Sequence, residues 1–239
     1  MSLVERPPIA LNSDSRLFDA VRTMMAHRIR RVVVTDPSGG LAGLVSSEDV
    51  AHVRGLDPVA TSEWLERSPT IEELASIRSE SLRHLGRLAS QGVQSEDLLS
   101  VTTEVDDQLK ERLFQLVEAD LREEWQESRP EDVVDGAWAW LAFGPAGRRE
   151  SSLNVGQDNG LVYDDPGADG KRAAAYFAEL ADRAVKALER CGYHPPDEGV
   201  TARAEPFRQP LAQWRAAYAQ WASAQDADAT SRAALCFDL

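Results

Sequence analysis

The stretch from Leu141 to Tyr163, LAFGPAGRRESSLNVGQDNGLVY, constrains the fold more than any other part of the chain. An apolar run, Trp138 to Phe143, ends abruptly at Gly144 and reads as a strand entering a turn. The turn carries Gly144, Gly147 and Arg148, and a short polar helix start follows. An acid, Asp158, then precedes a second β-like run from Gly160 to Tyr163. Strand, glycine turn, helix start and strand in that order read as part of an α/β unit. Glycine lets backbone N–H groups approach a ligand closely, and a guanidinium beside them suits a phosphate. Pro145 has no N–H, so one donor of such a cradle is missing. An ordinary strand-to-helix turn uses the same residue types, and both readings stay open on these residues alone.

The segment Val155-Gly-Gln-Asp-Asn159 sharpens the question. Two carboxylates at i and i+2 of a strand point to one face, where they can share Mg²⁺ ions. Here Asp158 stands alone, because Gly156 occupies the partner position and offers no ligand. Asp164 has the right parity but sits six residues on, roughly 20 Å along an extended strand. Asn154 is neutral. Taken alone, Asp158 also reads as a polar strand-edge acid.

Residues 7–55 form a block of their own. Pro8 to Leu11 is a short extended run, and Asn12-Ser-Asp-Ser15 offers an N-cap. Leu17, Ala20, Val21, Met24 and Met25 then recur at helical spacing. Arg31-Val-Val-Val-Thr35 is a β-branched strand. Asp36-Pro-Ser-Gly-Gly40 is a turn, Leu41 to Val45 a second strand, and Ser46-Ser-Glu-Asp49 the opening of another helix. Residues 56–130 read as helices. Thr70 and Glu73 mark one start, with Ile71, Leu74, Ile77, Leu82, Leu85 and Leu88 as its stripe. Gly92 ends that helix, Ser95 caps the next, and Leu109, Leu113, Leu116 and Val117 continue the pattern. Ser128-Arg-Pro-Glu131 is a break. Beyond it come an amphipathic helix from Lys171 to Cys191, a helix from Leu211 to Trp221, and a final strand from Ala234 to Leu239.

Twenty-six basic against 40 acidic residues leave a net charge of -14, which argues against nucleic acid or an anionic membrane as partner. Arg28, Arg30, Arg31, Arg148 and Arg149 are local exceptions that suit small phosphates. Cys191 and Cys236 are too few and too far apart for a disulfide framework or a zinc site. The chain shows no run of about 18 apolar residues and no charged-then-apolar leader, so a cytoplasmic protein is expected. His27, His52, His84 and His194 lack metal spacing and read as surface groups. The six tryptophans read as core or helix-packing residues, and Cys236 as buried and inert.

Two resemblances organise these pieces. Residues 1–56 resemble a single CBS motif, in the hydrophobic-Val-Val-x-Asp-x-x-Gly hairpin and the Gly43-Leu-Val-Ser-Ser-Glu-Asp49 ending. That resemblance implies an adenine-nucleotide site with Ser46 and Asp49 in it, the acid taking the ribose hydroxyls. Plain helix capping by Ser46 is the alternative. One motif is half of the usual sheet-to-sheet pair, which implies a homodimer. Residues 131–239 resemble polymerase-β-type nucleotidyltransferases of the CBS-linked DUF294 type, related to the uridylyltransferases that act on PII signalling proteins. The family motif reads Gly-Ser-x-Gly-Arg-x-Glu, then Thr-Asp-Gln-Asp-Asn-Ala-Leu-Ile-Tyr. The chain keeps Gly144, Gly147, Arg148, Glu150, Gln157, Asp158, Asn159, Leu161 and Tyr163. Gly192 to Val200, Pro210 to Arg215 and Phe237-Asp-Leu239 are similar to further family segments, with Pro196 in place of a family Cys.

The resemblance implies a mixed α+β chain: a CBS motif at 1–56, a helical connector at 57–130 and a nucleotidyltransferase-like domain at 131–239. It implies Asp158 and Asp238 as catalytic Mg²⁺ ligands, and Gly144, Gly147 and Arg148 as the hold on a nucleoside triphosphate. The acceptor would be a protein or a small molecule. Pro145 in place of Ser and Gly156 in place of Asp are departures from that pattern; the family normally continues past the Phe237-Asp-Leu239 strand into a further helical domain, absent here either naturally or by truncation. Transfer activity is then weak or lost, or the chain is a pseudoenzyme that senses adenine nucleotide as a regulatory scaffold.

Overall fold

A computed structural model describes residues 7–54, 57–150, 156, 158–194 and 200–223. The chain divides into two compact units, one of Met1–Ser68 with Ser76–Leu109 and one of Pro69–Ala75 with Lys110–Leu239.

The first unit begins with β1 (Ala10–Asn12), α1 (Leu17–His27), β2 (Arg31–Thr35), β3 (Leu41–Ser46) and α2 (Ser47–Arg54). The sheet order is β1-β2-β3, with β1 parallel and β3 antiparallel to β2. Three consecutive valines suit a strand packed on one face, and Val32 is fully buried. The hairpin turn closes as its residues predict. Asp36 Oδ1 accepts from the N–H groups of Ser38 and Gly40, at 2.8 and 2.9 Å. Gly39 sits at φ 85°, which glycine adopts without strain. Helix α1 buries Phe18, Ala20, Val21, Met24 and Met25. Its N-cap is Arg16, one residue beyond the expected Asn12–Ser15 stretch, because Asp19 Oδ2 accepts from the Arg16 N–H at 2.9 Å. Asn12 makes its own local turn instead, accepting from the Asp14 N–H. Leu44, paired with Val33, is 60% exposed, and Leu41 is 72% exposed.

Helices α3 (Pro58–Arg67), α4 (Ile71–Ser90) and α5 (Ser95–Ser128) follow. Thr70 Oγ1 accepts from the Glu73 N–H, and Gly92 at φ 83° ends the turn after α4, both as the sequence predicts. Helix α5 departs from a simple amphipathic pattern. Residues Val101 to Asp106 are buried at six successive positions, so every face of the helix is covered there. Four of those six are polar or charged: Thr102, Thr103, Glu104 and Asp106. The cost of burying Asp106 is offset by Arg78 on α4, whose Nε lies 3.2 Å from Asp106 Oδ1.

The second unit holds β4 (Trp138–Ala142), α6 (Gly144–Gly147), β5 (Asn159–Tyr163), α7 (Gly170–Arg190), β6 (Arg208–Pro210) and α8 (Leu211–Ser223). The sheet order is β4-β5-β6, with β4 antiparallel and β6 parallel to the central β5. Strand β6 was not expected, being three residues long and ending in proline. Helix α7 buries Tyr176, Phe177, Leu180, Ala184 and Leu188. Phe177 stacks on Tyr163 of β5 with ring centroids 4.2 Å apart. Trp214 of α8 donates from Nε1 to the Leu161 carbonyl at 3.1 Å. Asp165 caps the start of α8, accepting from the Ala212 N–H at 2.8 Å.

Trp125, Trp214 and Trp221 are buried as expected, but Trp64 is 59% exposed. The expected final strand at Ala234–Leu239 and the environment of Cys236 lie outside the described residues. Among the described residues no helix is long and apolar enough to cross a membrane.

Candidate active site

The glycine turn and the acid come together in the second unit. Strands β4 and β5 run antiparallel, so the end of β4 meets the start of β5. The Phe143 N–H donates to the Asp158 carbonyl at 2.9 Å. Gly144 follows at φ 59°, a conformation that favours glycine. A Cβ on Gly144 would lie 3.5 Å from Asp158 Oδ2, which places that carboxylate directly against the turn. The Glu150 N–H closes back onto the Pro145 carbonyl at 2.8 Å. Arg148 at the end of α6 donates from Nε to Glu150 Oε2 at 2.9 Å. Gly144, Gly147, Arg148 and Asp158 thus belong to one turn and its adjacent strand end.

The start of β5 is held tightly from behind. Asn159 is buried; its N–H donates to the Val200 carbonyl, and its Oδ1 accepts from the Ala202 N–H at 2.8 Å. Gly160 is packed so closely that a Cβ there would meet the Phe207 carbonyl oxygen at 2.9 Å and the Phe143 ring at 3.1 Å. We expect Gly160→Ala to cost about 1–3 kcal/mol through overpacking. A urea midpoint lowered at unchanged m would show it. The sequence marked Asn159 and Gly160 only as parts of a motif. A polar residue and a glycine at buried strand positions are the signal that both position the acid.

The resemblance implies Asp158 and Asp238 as metal ligands, and the described residues include the first of them. Gly156 forms a parallel bridge with His194 but has no side chain to offer. Among the described residues no group of three His, Cys, Asp or Glu side chains could hold a metal ion. Asp238 lies outside the described residues. Among the described residues Asp158 is the carboxylate placed against the turn.

Ser46 and Asp49 lie in the first unit, at the junction of β3 and α2. The Ser46 Oγ and N–H both donate to Asp49 Oδ2, at 2.7 and 2.9 Å, and the Asp49 N–H donates back to Ser46 Oγ at 3.2 Å. This is a reciprocal cap. The hydrogen bond from the Ser46 hydroxyl, then that from its N–H, holds the exposed Asp49 carboxyl below the ordinary carboxylate range. A depressed folded value means that the cap contributes fully above the unfolded carboxylate pKa and is lost as pH falls through the folded one. Ser46→Ala is expected to raise the Asp49 pKa toward its ordinary value, read by an NMR titration of the carboxyl carbon; an unmoved titration would contradict the cap. Of the arginines expected near phosphates, Arg28 and Arg30 are paired with Glu66 and Glu63 at 2.7 and 2.6 Å. Arg31 is exposed.

Comparison with known proteins finds two family models. Residues 80–228 match the family model described as Putative nucleotidyltransferase DUF294, and residues 2–55 match the CBS domain model. An 82-residue stretch, 32% of the chain, is 33% identical to the CBS domain-containing protein CBSCBSPB2 of Arabidopsis thaliana. The chain covers only 15% of that relative's own length. No solved structure matches the chain.

Proposed function

We propose that this chain, which belongs to the DUF294 nucleotidyltransferase family and carries a CBS motif at its N-terminus, acts as a nucleotide-responsive regulator whose transfer chemistry is weak or lost. The observation that carries this reading is Gly156 beside Asp158. Nucleotidyl transfer forms a bond from an acceptor oxygen to the α-phosphorus and breaks the bond to pyrophosphate. The charge that develops has to be neutralised by cations, and Gly156 withdraws one of the carboxylates that would hold them. The residues that remain support holding a nucleotide rather than converting it. Gly144 and Gly147 leave the backbone of the turn open to close approach, and Arg148 carries a guanidinium beside it.

The CBS motif is the proposed sensor. Asp49 is ionised, exposed and oriented by Ser46 at a strand-to-helix junction, which suits the ribose hydroxyls of an adenine nucleotide. The exposed Leu41 and Leu44 on its sheet support pairing with a second copy of this chain. Residual transfer to a protein acceptor of the PII type or to a small molecule is a second reading, favoured by the contact between Asp158 and Gly144.

Pyrophosphate release from each nucleoside triphosphate, with Mg²⁺ or Mn²⁺ and with PII-type proteins or water as acceptor, tests the proposal. We expect the native chain to match an Asp158→Asn background, while AMP binds the native chain and not Asp49→Ala. Turnover by the native chain that vanishes in Asp158→Asn would establish an enzyme.

A further inference from the structure

Helices α2, α3 and α4 of the first unit surround a pocket of about 240 Å³. Its walls are two helical stripes, Asp57, Ala60, Thr61 and Trp64 on one side and Ile77, Glu80, Ser81, His84 and Arg87 on the other, with Ala51 of α2 between them. The spacing is i, i+3, i+4, i+7 in the first stripe and runs on to i+10 in the second, so each helix turns one face to the cavity.

Three features set this pocket apart from a packing defect. The first is an exposed indole: Trp64 lines an otherwise aliphatic wall of Ala51, Ala60 and Ile77. The second is Ser81, a hydroxyl on the pocket wall that is only 7% exposed. The third is charge. Arg87 Nη2 lies 3.1 Å from His84 Nδ1. No carboxylate pairs with Arg87 among the described residues. Glu80 likewise has no cationic partner there, and Asp57 spends Oδ1 on the N–H groups of Val59 and Ala60. Nearby Arg28 and Arg30 are both matched by glutamates.

Size narrows the ligand. A volume of 240 Å³ corresponds to about eight water volumes at the liquid's share of roughly 30 Å³ each. That holds on the order of ten non-hydrogen atoms, fewer than a nucleotide carries. We propose that this pocket binds a free α-amino acid with an apolar side chain: carboxylate to Arg87, ammonium to Glu80 and Asp57, side chain against Trp64 and Ile77, and Ser81 as an added hydrogen bond. Cationic and anionic groups lining one apolar pocket disfavour molecules that carry only one of the two charges. The pocket's lining includes neither Ser46 nor Asp49, and the proposal does not depend on the transferase reading.

Calorimetric titration of the full chain with L-phenylalanine and L-leucine tests the proposal, with phenethylamine and N-acetyl-L-phenylalanine as analogues that each lack one charge. Both amino acids are expected to bind, and each analogue to bind about tenfold or more weakly. Arg87→Ala and Glu80→Gln are expected to weaken binding similarly; Glu80 is exposed, so its variant keeps the test open if Arg87→Ala fails to fold. Excess AMP is expected to leave amino-acid binding unchanged. No heat with any apolar amino acid at millimolar concentration, analogues that bind as well as the parent, unaffected Glu80→Gln, or displacement by AMP would each overturn the assignment.

Discussion

Asp106→Ala is expected to destabilise the first unit by about 3–5 kcal/mol, the usual cost of removing one partner of a buried ion pair. The Arg78 and Asp106 side chains are 4% and 1% exposed, with Nε and Oδ1 3.2 Å apart. Removing the carboxylate leaves a guanidinium that can neither reach water nor lose its proton. The penalty is therefore desolvation rather than lost attraction. For a chain of this size it would lower a thermal midpoint by roughly 10 °C. Replacing both residues together, Arg78→Met with Asp106→Leu, is expected to cost much less, since two apolar groups leave no buried charge behind. A double variant as damaged as the single one would show that packing, not charge, dominates at this site. Amide exchange in α4 and α5 would locate the loss, with protection falling at Val101 to Leu109 before it falls in the second unit.

That pair also marks the limit of what the sequence could reveal. The strands around Arg31 and Leu41, the Asp36 turn and the buried stripe of α7 were legible because each follows from neighbours a few residues apart. Val101 to Asp106 was not, because a helix with every face covered has lost the polar-apolar alternation from which burial is read. What identifies the segment is Arg78, 28 residues upstream on another helix. The reciprocal cap of Ser46 and Asp49 was visible as a spacing, yet the same spacing serves capping and ribose binding. Capping is now seen in the hydrogen bonds, and nucleotide binding stays a proposal. The pocket at Trp64 was hidden for a third reason. A tryptophan at helical spacing reads as core, and His84 without metal spacing reads as surface. Only the separation of α3 from α4 turns both toward a cavity.

At the turn, the sequence already named Gly156 as the missing carboxylate, and the surroundings of that position determine what a reversion can do. Gly156→Asp is expected to convert a silent chain into one that releases pyrophosphate from a Mg²⁺-bound nucleoside triphosphate. Among the described residues a Cβ at Gly156 would meet nothing within 4 Å, and its backbone is not in the left-handed region. An exposed change of this kind is expected to move stability by no more than about 0.5 kcal/mol. The restored carboxylate stands two residues before Asp158, the interval that turns two side chains to one face. Metal-assisted charge neutralisation supplies several kcal/mol of barrier lowering, which corresponds to about two to four powers of ten in rate. Pro145 sets a second limit, because it denies the turn one N–H. Pro145→Ser combined with Gly156→Asp should therefore exceed Gly156→Asp alone, chiefly through tighter nucleotide binding and a lower KM. Adding Asp158→Asn to either variant should abolish the gain. Release that survives Asp158→Asn would place the chemistry away from the turn. Silence in the double variant, with nucleotide still bound, would mean that the Gly144 turn and the Asp158 carboxylate no longer meet the α-phosphate in a reactive geometry.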